Sequence, residues 1–185
     1  MLKNLEPKEL RPLGTIPENR PRLLVLTSTY PRWPSEDEPS FVHELCRRLT
    51  DHFEVRVVGP HGAGALRQET MDRLEVRRYP YAPARLETLV NAGGIVTNLK
   101  RHPWKWLLVP GFIIGLLWTT WRTIQRSHPD VVPAHWLVPP GLVIALLSAP
   151  SCRTPRYIVT FHGADLFVLH LSAAENRRAP HAVRA

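Results

Sequence analysis

Residues 129–167 read PDVVPAHWLVPPGLVIALLSAPSCRTPRYIVTFHGADLF, and their order of polar and apolar runs decides the fold. A short β-branched run, Val131-Val132, ends in the polar pair His135-Trp136. A helical run over 140–147 follows, then a loop, then an apolar run over 157–161 that stops at His162-Gly163-Ala164-Asp165. Strand, helix, strand in this order is the unit of a parallel sheet. Ligands of open parallel sheets bind just outside the carboxyl ends of the strands. Two strands here end in histidine-bearing clusters, so a small-molecule site is expected there.

The same alternation continues upstream. Residues 22–27, RLLVLT, read as a buried parallel strand. Residues 40–52 form an amphipathic helix, with Phe41, Val42, Leu45 and Leu49 on one face and Ser40 as the expected N-cap. Residues 53–58 give a second strand, ended by Gly59 and Pro60, and 74–79, LEVRRY, a third. The segment 61–73 has no clear period, and 80–105 shows only a turn at Asn91-Ala92-Gly93-Gly94. The expected fold is α/β: a Rossmann-like, mostly parallel sheet with helices on both faces. Residues 1–20 read as a mobile leader, 21–170 as the domain, and 171–185 as a disordered or aberrant tail rich in alanine and arginine.

The 185 residues suit one domain, and 44% apolar side chains suffice for a core. A formal net charge of +8 favours anionic partners. Nucleic acid is not expected, because no arginine-rich reading helix or aromatic RNA-binding motif is present. Cys46 and Cys152 lie far apart without metal-ligand spacing, which fits a reducing, cytoplasmic setting. The uncharged run 106–121, WLLVPGFIIGLLWTTW, is short of the ~20 residues of a spanning helix and reads as a buried helix over 110–126. Its flanking Trp, Lys and Arg residues are those of a bilayer boundary, so peripheral contact with an inner membrane face is the alternative.

Several residues are candidates for a site. A neutral His162 imidazole can exchange hydrogen bonds with sugar hydroxyls, Gly163 permits close backbone approach, and Asp165 can orient hydroxyls or cap a helix. His135 stands at the equivalent strand end, and Trp136 offers a flat apolar face, although simple core packing reads at least as well. Ser40 and Phe41 open a helix whose backbone N–H groups could meet an anion, although an ordinary helix start reads equally well. Glu36-Asp37-Glu38 reads as a solvated acidic loop rather than a metal site.

The stretches LLVLTSTYPRWP (23–34), SFVHELCRRL (40–49), PDVVPAHWLVPPGL (129–142) and VTFHGADLF (159–167) together resemble the N-terminal domain of retaining, two-domain GT-B glycosyltransferases of the family-four group. The resemblance covers roughly 22–170 and implies transfer of a sugar from a nucleotide-sugar donor to a sugar or lipid-linked acceptor. It implies no cofactor and no metal. It casts His162 as the catalytic residue beside the donor sugar, and Ser40, Phe41, His135, Trp136, Gly163 and Asp165 as substrate-binding. Relatives often carry glycine where this chain has Ser40, and histidine where it has Pro133. The nucleotide-binding C-terminal domain of the family has no counterpart here. The expectation is therefore a truncated, acceptor-side half, inactive without that domain or a separate partner chain. A stand-alone Rossmann-like binding module or membrane-associated partner module is the other reading.

Overall fold

The computed structural model describes residues 20–34, 36, 40–91, 93–148 and 155–162. The expected leader apart from Arg20, the tail, and Asp37, Glu38, Cys152, Gly163 and Asp165 lie outside the described residues.

Six strands form one sheet in the order β3-β4-β2-β1-β5-β6. They are β1 (Arg22–Leu26), β2 (Glu54–Pro60), β3 (Gln68–Met71), β4 (Leu74–Tyr79), β5 (Val131–His135) and β6 (Arg156–Thr160). All neighbours are parallel except β3, which pairs antiparallel with β4. The helices are α1 (Phe41–Leu49), α2 (Gly94–Arg101), α3 (Val109–Ser127) and α4 (Leu142–Leu147).

Period-two alternation divides the central strands between two cores. Leu23 and Val25 on β1, with Val55, Val57, Leu74 and Val76, face Val42 and Cys46 of α1. Leu24 and Leu26, with Val58, Tyr79 and Val132, face Phe112 and Leu116 of α3 and Ile144 of α4. Helices thus cover both faces, the arrangement an all-apolar strand such as RLLVL requires.

The structure differs from the sequence reading in four places. Gly59 and Pro60 do not end β2 but pair with Arg78 and Tyr79 of β4. Gly59 is fixed by Tyr30, whose Cβ would lie 2.9 Å from a Cβ placed there. The aperiodic segment 61–73 contains β3, joined to β4 by a two-residue turn at Asp72 and Arg73 with φ of 49° and 68°. Positive φ at both turn positions matches the strand twist of a tight hairpin, a geometry usually signalled by Asn-Gly or Asp-Gly. The region 80–105 holds α2 and two 3₁₀ turns, Ala84–Leu86 and Pro103–Leu108. The helix expected over 140–147 begins only at Leu142, after a wide turn over Leu137–Gly141.

Helix α3 runs from the carboxyl edge of the sheet to its amino edge. Gly111 and Gly115 lie against the carbonyls of Tyr81 and Pro80, just past the end of β4. At its other end, Arg22 Nη1 at the start of β1 donates to Ser127 O at 2.9 Å. The expected buried helix is buried on one face only: 33% of its most apolar window is covered.

Candidate functional site

The chain leaves β1 toward β2 and β4 on one side, and returns to β5 and β6 on the other. In sheets with such a reversal, ligands usually sit beyond the carboxyl ends of the two strands at the switch, here β1 and β5. Three segments converge there: the end of β5, the residue after β6, and the amino end of α1.

At the end of β5, Trp136 adopts φ 73°, a left-handed conformation strained for a side chain of this size. Its N–H donates to Thr160 O on β6 at 3.0 Å, and its carbonyl accepts from the Gly141 N–H at 3.1 Å. Gly141 permits that closure, since a Cβ there would lie 3.0 Å from Val159 Cγ1 and 3.3 Å from Trp136 O. The indole is thereby turned toward the α1 side, where it packs with the core containing Val42 and Cys46.

His135 is buried, at 4% exposure. Its Nδ1 lies 3.1 Å from His162 Nε2. The two rings stack at 5.4 Å and 25°. Burial, reinforced by the facing His162, holds the His135 pKa down to about 4. His135 is therefore neutral near pH 7, and the contact needs one ring nitrogen bearing a proton and one without. Phe41, the first residue of α1, places its ring 4.9 Å from His162 and 5.6 Å from Trp136. Trp136 and His162 are 4.8 Å apart. Residues far apart in sequence, Phe41, His135, Trp136 and His162, thus share one rim. Flat apolar faces and two imidazoles side by side suit a ring that carries hydroxyls.

Ser40 is adjacent and exposed and occupies the expected N-cap position. Its carbonyl accepts the first intrahelical bond, from the Glu44 N–H at 2.8 Å. Its backbone is already helical (φ −81°, ψ −2°), so its side chain makes no capping bond. A side-chain cap needs an extended backbone to aim the hydroxyl at the first turn. Among the described residues, no group of three His, Cys, Asp or Glu is placed to hold a metal ion.

The loop after β1 forms the floor beside this rim, and sequence reading missed what pins it. Thr27 Oγ1 donates to Thr29 O at 2.6 Å. The Tyr30 hydroxyl meets His43 Nδ1 at 2.7 Å, and His43 Nε2 meets Asp72 Oδ2 at 2.9 Å, tying the loop through α1 to the β3–β4 turn. Glu36 is not solvated as expected: its carboxylate accepts from the Arg32 N–H at 2.5 Å and from Arg32 Nε at 2.6 Å. Arg32 also lies 4.4 Å over the Trp33 ring. Arg78, fully buried, donates through Nη2 to Pro31 O at 2.8 Å and Glu69 Oε1 at 2.6 Å. The signal for Arg78 is in the sequence: period two places it on the same face as Leu74 and Val76.

A separate open depression of about 680 Å³ lies at the amino ends of β2 and β4, lined by Arg20, Arg56, Arg73, Glu54 and Glu75 among others. Its carboxylates are engaged: Arg56 binds Glu54 and Glu75, each at 2.6 Å. It lies at the opposite edge from the imidazoles, so the chemistry points to the rim and not to this hollow.

The His135 pKa gives a pH prediction. The unfolded imidazole titrates near 6.5 and the folded one near 4. Between these values the unfolded chain takes up a proton that the folded chain refuses. The stability associated with neutral His135 is complete above pH 6.5, declines by on the order of 2 kcal/mol as pH falls to about 4, and changes no further below. Urea titrations across this range should show a shallower pH slope in His135→Asn than in the parent chain. Equal slopes would remove His135 as the titrating group.

The sequence model of Glycosyltransferase Family 4 matches residues 40–185. No curated protein matches the chain. Among solved structures, sucrose-phosphate synthase from Thermosynechococcus elongatus aligns with a TM-score of 0.51 and 10% identity, over 86% of this chain and 36% of that one. A second sucrose-phosphate synthase structure from the same organism aligns with a TM-score of 0.40 and 8% identity, over 84% of this chain and 98% of that one. The chain thus spans about a third of the length of the first of these, 36%. At 10% identity the likeness to the first is one of fold.

Proposed function

The chain belongs to Glycosyltransferase Family 4, and from that premise we propose that it forms the acceptor-side half of an enzyme moving a sugar from a nucleotide-sugar donor to a sugar or lipid-linked acceptor. The observation that carries this reading is the convergence of His135, Trp136, His162 and Phe41 on one rim at the strand-order reversal. In this reading the aromatic faces receive the apolar side of a pyranose or furanose ring, and His162 exchanges a hydrogen bond with a ring hydroxyl. His135, neutral and buried, orients His162 through their shared hydrogen bond. Ser40 and Phe41 bring the amino end of α1 toward the donor diphosphate, and Gly163 and Asp165 are assigned to substrate binding from the sequence alone. No cofactor enters; the nucleotide sugar is a co-substrate.

The exposed β6 edge supports the half-enzyme part of the reading. Tyr157, Ile158 and Phe161 are 43%, 59% and 51% exposed. Parallel strands are normally covered on both faces, so further structure in the same or a separate polypeptide is expected there. Cys46 is buried and free, and burial pushes its thiol up to about 12, which leaves it unreactive.

Saturation-transfer NMR of the chain with nucleotide sugars and free sugars tests the site. Sugar ring protons should receive magnetisation, and His162→Ala should weaken that binding about tenfold, the scale of one to two polar contacts. The chain alone, given radiolabelled nucleotide sugars, should show no transfer, because the donor lacks its second wall and its orientation. Turnover by the chain alone overturns the half-enzyme part. Absence of any sugar signal overturns the site.

A further inference from the structure

We propose that the outer face of α3 and the preceding 3₁₀ turn is a docking surface for an anionic lipid bilayer, which the helix meets lying in the interfacial plane. This goes beyond sugar transfer and does not depend on it. The face presents Trp104, Trp106, Leu107, Ile114, Trp118 and Trp121, exposed by 48%, 61%, 82%, 64%, 56% and 38%. Four of the chain's six tryptophans therefore stand exposed on this one short stretch of chain, an apolar ridge. The rings of Trp118 and Trp121 lie 5.1 Å apart, tilted by 35°. A soluble monomer seldom exposes so many large apolar side chains close together in sequence without a partner.

Charge identifies the occupant. From Thr88 to Pro129 the chain contains no Asp or Glu and five Lys or Arg. Of these, Lys100, Arg101, Arg122 and Arg126 are exposed around the ridge. The fifth, Lys105, is turned inward, where its Nζ donates to Thr88 O at 2.9 Å and Asn98 Oδ1 at 2.6 Å. Tryptophan flanked by unopposed cations is the composition of a segment that sits among anionic headgroups.

Packing decides between lying on the bilayer and crossing it. By length and composition the segment Pro103–Ser127 could span. Yet Phe112, Leu116, Thr120, Thr123, Ile124 and Ser127 are buried against the domain. Gly111 and Gly115 are seated on the Tyr81 and Pro80 carbonyls. Spanning would strip this face from the sheet, whereas in-plane contact uses only the face already exposed. The tryptophans of the 3₁₀ turn lie toward the carboxyl edge of the sheet, so docking would hold the imidazole rim near the lipid surface.

Flotation of the full chain with vesicles tests this. Vesicles of phosphatidylcholine mixed with phosphatidylglycerol should carry the chain upward, pure phosphatidylcholine much less, and added salt should reduce binding. Trp118→Glu/Trp121→Glu should weaken vesicle binding by about tenfold or more, and Lys100→Gln/Arg101→Gln by about tenfold. These side chains are exposed, so the variants should fold, as unchanged circular dichroism and sugar binding would verify. Three results overturn the proposal: no flotation with anionic vesicles, flotation indifferent to both variants, or self-association abolished by Trp118→Glu/Trp121→Glu in a chain that does not float. The last would make the ridge an interface between two copies.

Discussion

Gly115→Ala and Gly111→Ala should each destabilise the domain by about 2–3 kcal/mol in urea unfolding, although alanine is the better helix former. The helical preference alone would favour each change by about 1 kcal/mol. The packing opposes it more strongly. A Cβ at Gly111 would fall inside 3.0 Å of Tyr81 O, and one at Gly115 inside 3.0 Å of Pro80 O. Both obstacles are backbone carbonyls at the end of β4, so no rotamer change relieves them. The helix must lift, and lifting it opens the contact of Phe112 with Tyr79 and Tyr81, whose ring centroids are each 5.1 Å from the Phe112 ring. Because both methyl groups push α3 off the same wall, the second should cost less than the first. A double variant whose loss equals or exceeds the sum would mean that the two glycines act on independent contacts. Gly94→Ala is a useful contrast: nothing lies within 4 Å of a Cβ there, and its φ of 81° confines the cost to backbone strain.

The same glycines show what was legible in the sequence. Apolar runs and alternating or amphipathic patterns bounded by turn residues gave away β1, β2, β4, β5, β6, α1 and α3, because burial on one or both faces imposes a period that few other structures share. β3 stayed hidden because its turn, Asp72-Arg73, takes positive φ without glycine or asparagine, the residues by which such turns are recognised. α2 and its flanking 3₁₀ turns stayed hidden because short elements carry too few residues to display a period. At the rim, the meeting of His135 and His162 was legible, since adjacent parallel strands must end side by side. The placement of Phe41 against Trp136 and His162 was not, because it depends on how α1 crosses the sheet and on the strained Trp136 backbone. The engagement of Glu36 by Arg32 depends on a loop conformation that no local pattern encodes.

Glu69→Gln should destabilise the domain by about 3 kcal/mol, while replacing Glu69 and Arg78 together by methionine should cost less than that. Arg78 has a fully buried side chain, and Glu69 supplies its one carboxylate partner, at 2.6 Å. Removing that charge leaves a guanidinium stranded away from water, with Nε and Nη1 already buried and unpartnered. Desolvation of those donors is a standing cost that methionine at position 78 removes, while its chain refills most of the volume beside Tyr30. The cation is 5.6 Å from the Tyr30 ring centroid, so part of its compensation is the aromatic face. If the pair were mainly a source of stability, the double variant would fall below Glu69→Gln. The expected ordering is the reverse, because Arg78 serves position more than energy: it also holds Pro31 O at 2.8 Å, and with it the loop that floors the rim. Hydrogen exchange should therefore quicken at Tyr30, Arg32 and Trp33 in the double variant while β1 and β2 stay protected. Unchanged exchange in that loop, together with a double variant less stable than Glu69→Gln, would assign Arg78 to the core alone.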